Sequence, residues 1–240
     1  MLKIDLHIHT IASGHAYNTI LEYINRAKEL KMKIIGISDH GPGNSEAIVS
    51  EVYFKSLNRI PKIINGIRIL KGVEANIMDI DGSIDISDKT LNKLDFVIAN
   101  FHLHTDYSDR GAKINSRAII NTIKSQKINI LSHPYNTEMF NIEVKKIYEA
   151  ACQYDILLEI NIPYLKIDKF DSNISSNLKA MVNIVKKHNK KVLVGSDAHN
   201  IWELADDSPL RRIKKKIGLT DNLIINNYPK ELLRKLKINE

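Results

Sequence analysis

The sequence predicts an α/β fold, a closed or nearly closed parallel (β/α) barrel that uses residues 1–240 as one domain. Three observations carry this expectation. Seven short segments rich in Ile, Val and Leu alternate with longer amphipathic ones. Six of the seven finish on His, Glu or Asp, which marks one common end of the strands as polar. No Gly/Ser linker, low-complexity tract, composition step or repeat divides the 240 residues, a length that one large domain can use.

Taken in order, the strand segments are Lys3 to His9, Ile34 to His40, Ile67 to Glu74, Phe96 to His102, Ile128 to His133, Ile156 to Asn161 and Val192 to Asp197. In the first, alternation puts Ile4, Leu6 and Ile8 on one face and Asp5, His7 and His9 on the other. With helices covering the outside, the polar face points inward at the carboxyl end, where such barrels keep their active sites. Thr19 and Glu22 form a capping box, and Ile20, Ile24, Ala27 and Leu30 follow along one helical face. Asn173 to His188 repeats the pattern with Leu178, Met181, Val182 and Val185. Gly36, Gly72 and Gly195 precede polar strand ends and are expected to leave room above them for ions.

Composition narrows the class. The net charge of +7 is spread over scattered lysines, and Lys214, Lys215 and Lys216 with Arg211 and Arg212 read as the solvated face of one helix. Lys3 and Asp5 interrupt Met1 to Leu6 before a signal-peptide core can develop, and no stretch reaches membrane-spanning length. A cytoplasmic protein without a membrane partner is expected. The single cysteine, Cys152, has no second thiol and reads as packing.

The histidines are more informative. His7-Ile8-His9 places two imidazoles about two residue rises apart on one side of a strand, close enough to grip one ion. Ser38-Asp39-His40, Gly72-Val73-Glu74, Phe101-His102, Ser132-His133-Pro134 and Gly195-Ser196-Asp197-Ala198-His199 lie at other strand ends. Pro134 disfavours helical geometry at His133 and is expected to keep it extended. Each string alone is a weak signal, but convergence of all of them on one barrel end points to a divalent metal site.

These strings resemble the PHP (polymerase and histidinol phosphatase) domain family over essentially the whole chain, most closely its small stand-alone three-metal phosphatase branch. Asp5-Leu6-His7-Ile8-His9-Thr10, Ser38-Asp39-His40-Gly41-Pro42 and Gly72-Val73-Glu74-Ala75-Asn76-Ile77 are similar to that branch's motifs. The resemblance implies a distorted, TIM-like seven-stranded (β/α) barrel. It also implies nine metal ligands: His7, His9, His15, His40, Glu74, His102, His133, Asp197 and His199. His7, His9, Glu74 and Asp197 would surround one ion, Glu74, His102 and His133 a second, and His15, His40 and His199 a third. Glu74 would bridge two ions, as a two-oxygen carboxylate can.

The implied activity is hydrolysis of phosphate monoesters. Glu74, His40 and Asp197 would act through three divalent ions, Zn with Mn or Fe as alternatives, and a bridging hydroxide. Two carboxylates and one hydroxide leave roughly +3 on such a cluster, suited to a phosphate dianion of a small phosphorylated substrate. No Gly-x-Ser-x-Gly or P-loop motif offers another chemistry. The rivals are an amidohydrolase-type barrel, which leaves His15, His40 and Glu74 unexplained, and a PHP nuclease acting on nucleic acid ends. The nuclease lacks a basic-aromatic surface here but stands on chemistry alone. A non-catalytic metal-stabilised module would not need an intact ligand set. Specificity would lie in the loops 44–54, 103–113 and 164–176.

Other polar residues have plainer readings. His104 reads as a pocket-rim residue and His188 as a helix-end residue favoured by the dipole. Asp5 and Asp39 either orient imidazoles or satisfy backbone amides. Glu159 and Asn161 share one strand face with no assigned role.

Overall fold

In the computed structural model, which describes residues 1–239, the Ile- and Val-rich runs form strands and the amphipathic runs form helices. One sheet contains β1 (Ile4–Asp5), β2 (Ile34–Ile37), β3 (Ile63–Ile64) and β4 (Ile67–Lys71) in the order β1-β2-β4-β3. The other contains β5 (Glu74–Asn76), β6 (Ile98–Asn100), β7 (Ile130–Leu131), β8 (Leu157–Asn161) and β9 (Val192–Gly195) in sequence order, all parallel. Isolated parallel bridges link the two sheets, His40 just beyond β2 with Glu74 at the start of β5, and Ile8 beyond β1 with Ala198 beyond β9. The result is a mixed α/β fold built on parallel sheets.

The β3–β4 pair is an antiparallel hairpin that the strand reading omitted. Its signal was present: Asn65-Gly66 between isoleucines, both with positive φ (52° and 80°), is the two-residue turn that right-twisted hairpins favour.

The helices are α1 (Ile20–Glu29), α2 (Glu51–Ser56), α3 (Asp88–Leu91), α4 (Ala112–Lys124), α5 (Val144–Gln153), α6 (Ser172–Lys187), α7 (Ser208–Ile213) and α8 (Pro229–Lys235). The Thr19–Glu22 capping box starts α1, and Asp171 caps α6 through the Ile174 amide. Leu178, Met181, Val182 and Val185 of α6 are buried with Ile147 and Cys152 of α5, the outward strand residues Ile35, Leu158 and Val194, and Val97 just before β6. Burial pushes the Cys152 thiol up to about 11, consistent with a packing role. Lys214 to Lys216 lie in the turn after α7 rather than on it, because the helix ends at Ile213. Among the described residues, no helix is long and apolar enough to cross a membrane.

A second buried cluster gathers Ile4, Leu6, Ile34, Leu70, Phe96, Ile98, Ile130, Leu157 and Leu193 from both sheets, with Leu232 and Leu233 of α8. Its membership corrects the expected alternation in the first strand. Ile4 and Leu6 join this cluster whereas Ile8 packs with the helices, so the period of two slips between Leu6 and His7. The ladder ends at Asp5, whose Oδ1 accepts the His7 amide and releases the backbone from strand geometry.

Two further expectations change. A Cβ on Gly36 or Gly72 would meet the Phe96 ring at 2.7 Å or 2.4 Å, and one on Gly195 would meet Glu159 Oε1 at 2.1 Å. These glycines make room for side chains, not ions. His133 is not extended: its φ of 32° puts it in the left-handed region. Proline only excluded the right-handed helix, and Glu159 Oε2, accepting the His133 amide at 3.0 Å, holds the turn.

Candidate metal centre

All nine histidine and carboxylate positions singled out above lie beyond or at the carboxyl ends of parallel strands, around Glu74 at the start of β5. His7, His9 and Glu74 are essentially sealed from solvent. Nε2 of His7 and His9 are 3.1 Å apart. His7 Nε2 lies 3.2 Å from Glu74 Oε1 and 3.4 Å from Asp197 Oδ1, and His9 Nε2 lies 3.3 Å from Glu74 Oε2 and 3.0 Å from Asp197 Oδ1. His40 Nδ1 and His102 Nε2 each stand 3.1 Å from a Glu74 oxygen. Ligands at 2.0–2.1 Å from a tetrahedral ion stand about 3.3 Å from one another, so these spacings are those of coordination edges.

Among the described residues, three groups each bring one ligating atom per residue within 4.8 Å of one another: His7, His9 and Asp197; His9, His40 and His199; His40, Glu74 and His102. His15 is less buried, but its ring is stacked 4.8 Å from His199 and lies 5.1 Å from His40. The grouping differs from the partition implied by resemblance, since His9 and His40 each fall in two groups. Neighbouring rings are 4.3–5.1 Å apart, so a central imidazole reaches more than one position.

Proton placement tests whether cations fit. His7 Nδ1 donates to Glu159 Oε1 at 2.7 Å, and His199 Nδ1 donates to the Asp197 carbonyl at 2.9 Å. Ser13 Oγ donates to Asp39 Oδ1, so it accepts from His9 Nδ1 at 3.0 Å. A neutral ring that donates through Nδ1 presents a bare lone pair at Nε2. Lone pairs of His7 and His9 therefore face each other and two carboxylates in a dry site, an arrangement that only protons or cations can hold together. His40 Nδ1 and His102 Nε2 are buried without a hydrogen-bond partner despite their nearness to Glu74. Such orphaned acceptors suit metal ligation. At His133 the polarity is reversed: Asn100 Nδ2 approaches Nδ1 at 3.3 Å, and Nε2 turns to Glu74 Oε1 at 3.3 Å.

The electrostatics agree. Burial alone would depress His9, yet hydrogen bonds to Asp197 and Glu74 raise it to about 9, and His7 also rises against burial through Glu159, Glu74 and Asp197. Glu74 and Asp197 are held well below the carboxylate range by the surrounding imidazoles, although burial opposes this. Burial and the positive His9 push His40 down to about 3. The centre keeps its carboxylates ionised and demands positive charge, which divalent ions can supply.

Residues without an assigned role now have partners. Glu159 orients the His7 ring and holds the His133 amide. Asp39 accepts from Thr10, Ser13 and Tyr53, and reaches His9 only through Ser13. Asp5 satisfies the amides of His7, Ser196 and Ala205 and touches no imidazole. Ser13, Asn76 and Asn100 were missed: Asn76 and Asn100 meet rings 26 and 33 positions away, and Ser13, only four residues after His9, is brought against its ring by the turn that follows Thr10. His104 lies on the pocket rim with φ of 62°, and His188 caps α6 and pairs with Glu149.

Above the centre opens a cavity of about 230 Å³. Its floor includes Glu74, His102 and Asp197, and its wall includes Phe101, Met139, Phe140 and Tyr164.

The PHP domain family model matches residues 5–161. Histidinol phosphate phosphatase from Lactococcus lactis, solved with Zn, L-histidinol and phosphate, is 18% identical with a TM-score of 0.59, covering 90% of this chain and 94% of that one. A candidate histidinol phosphatase from Listeria monocytogenes is 17% identical with a TM-score of 0.59, covering 85% and 97%. A chain of an archaeal ribonuclease P complex with mature tRNA is 16% identical with a TM-score of 0.54, covering 98% and 88%. At these identities the likenesses establish the fold alone.

Proposed function

The chain belongs to the PHP domain family, and from that premise we propose that it is a metal-dependent phosphatase hydrolysing small phosphate monoesters. The observation that carries the reading is the set of ring nitrogens and carboxylate oxygens crowded around Glu74 at 3.1–3.3 Å, two of those nitrogens without a hydrogen-bond partner. Three divalent ions, Zn or alternatively Mn or Fe, would be held by His7, His9, His15, His40, Glu74, His102, His133, Asp197 and His199. When bound, such ions acidify water and withdraw charge from phosphoryl oxygens.

The chain's own residues do the rest. Glu159, Ser13, Asn76 and the Asp197 carbonyl fix which nitrogen carries the proton in the rings of His7, His9, His102 and His199. Glu74, His40 and Asp197 line the cavity floor, where they would hold cations against the phosphoryl group. Buried Glu159 lowers the net charge expected from ligands alone, to about +2 by the same count, still attractive to a dianion. A cavity of about 230 Å³ with an apolar wall suits a small leaving group better than a polymer.

We also read the two sheets as one distorted seven-stranded barrel and one domain over residues 1–240. β4 and β5 would form a single interrupted strand. The His40–Glu74 and Ile8–Ala198 bridges support closure at both seams, as does a buried cluster drawn from both sheets.

The test compares an aryl phosphate, its diester and a single-stranded oligonucleotide with one Zn- or Mn-loaded preparation. Highest kcat/KM on the monoester, with competitive inhibition by inorganic phosphate, is the expected result. Efficient oligonucleotide cleavage without monoester turnover would replace this reading with the nuclease one. Hydrolysis of a cyclic amide alone would replace it with the amidohydrolase one.

A further inference from the structure

His102 differs from His7 in how its proton is placed. His7 donates directly to a carboxylate, whereas His102 Nδ1 meets an amide, Asn76 Oδ1, at 2.7 Å. An amide can turn over and offer its NH2 instead, and an NH2 facing Nδ1 would force the ring proton onto Nε2. Nε2 is the atom that faces Glu74 at 3.1 Å without a hydrogen bond. Something must therefore fix the amide.

That group is Asp85. Asn76 Nδ2 lies 2.5 Å from Asp85 Oδ2 and 3.3 Å from the Gly41 carbonyl, and both partners can only accept. With Nδ2 committed there, Oδ1 must face His102. Asp85 is itself held, accepting the Asn76 amide at 2.8 Å through Oδ1 and the Gly43 amide at 2.8 Å through Oδ2. Glycine at 41 is part of the device, because a Cβ there would lie 2.3 Å from Asp85 Oδ2. Asp85 makes no hydrogen bond to any of the nine candidate ligands among the described residues.

We propose that Asp85 is a positioning residue: by fixing the direction of the Asn76 amide it sets the tautomer of His102, so that His102 offers its Nε2 lone pair to a cation beside Glu74. The inference rests on the metal-dependent reading of the centre. The same carboxylate anchors the loop just after His40, so one group outside the ligand set serves two ligands. The parallel at His9 is Ser13, whose hydroxyl is committed to Asp39 and so can only accept from the ring.

The experiment uses the full chain in three forms: wild type, Asp85→Asn, and Asp85→Asn combined with Asn76→Asp. In the single variant the amide at 85 can donate to Asn76 Oδ1, and the Asn76 amide is free to turn. In the combined variant the carboxylate at 76 must accept from both neighbours, so the polarity toward His102 is restored. Two readouts apply. The first is the His102 tautomer in metal-depleted protein at alkaline pH, from its ring 15N shifts. The expected result is Nδ1–H in wild type and the combined variant, with Nε2–H appearing in Asp85→Asn. The second is Zn affinity by chelator competition. The single change should weaken one ion by about 10–100-fold, and the combined change should recover most of that loss.

A merely structural role would leave the combined variant no better than the single one, and that outcome overturns the proposal. An unchanged Nδ1–H tautomer in Asp85→Asn does so as well. Absence of Zn uptake by wild type would instead defeat the functional reading, while the tautomer comparison still decides the role of Asp85.

Discussion

The two ends of the same parallel strands do opposite things. Toward the amino ends Ile4, Ile34, Leu157 and Leu193 close around Phe96 together with Leu70 farther along β4, and Leu232 and Leu233 of α8 join them. At the carboxyl ends the chain leaves the ladder within a residue or two, and imidazoles and carboxylates crowd together. The apolar packing tolerates no added volume at Gly36 or Gly72, since a Cβ at either would strike the Phe96 ring. The polar end tolerates no misplaced proton, since acceptors face acceptors there. The first supplies the rigidity that the second requires, because facing lone pairs such as Nε2 of His7 and His9, 3.1 Å apart, would otherwise spread apart.

The largest expected effect comes from the polar end. Glu74→Gln removes the one carboxylate that five imidazoles approach, and should weaken metal binding by more than about 100-fold, beyond what changes to outer partners cause. Elemental analysis and chelator competition measure it. Normal occupancy in this variant would remove the centre's organising residue from the argument. At the apolar end, Phe96→Ala should cost about 3–5 kcal/mol by denaturant unfolding. Molecules still folded should bind the ions with unchanged stoichiometry; loss of ions at full foldedness would show that the ends are not separable.

A pH experiment sharpens the contrast, because the apolar cluster contains no titratable side chain. His9 rises from an ordinary 6.5 to about 9 in the fold without cations. Its contribution is therefore complete below about 6.5 and is lost as pH rises through 9. Metal-depleted protein should lose thermal stability over that interval, and Zn-loaded protein should not, since the ion replaces the proton. His40, depressed to about 3, acts with the opposite sign, lowering stability as pH falls below 6.5. A flat profile between 6.5 and 9 without metal would contradict the shared-proton description.

The smallest effects belong to histidines outside the cluster. His104→Ala, on the exposed rim, should leave metal content unchanged. His188→Ala should likewise leave it unchanged and cost at most about 1 kcal/mol, the scale of a part-exposed helix-end pair with Glu149. Loss of an ion in either would redraw the boundary of the site.

What the sequence by itself determined is the strand and helix order, the amphipathic faces of α1 and α6, and the residue types gathered at one end of the strands. Those properties depend on local periodicity and on where a run of branched residues stops, which neighbouring positions record. The Asn65-Gly66 hairpin was also legible, though overlooked. Tertiary structure alone decided that alternation slips after Leu6, that Gly36 and Gly72 serve Phe96, and that His133 turns into the left-handed region. It alone paired His7 with Glu159, 152 positions away, and His102 with Asn76, 26 positions away. The reason is physical: a ligand's identity follows from its side chain, but the position of its proton follows from whichever group the fold brings against its other nitrogen, and no local pattern encodes that meeting.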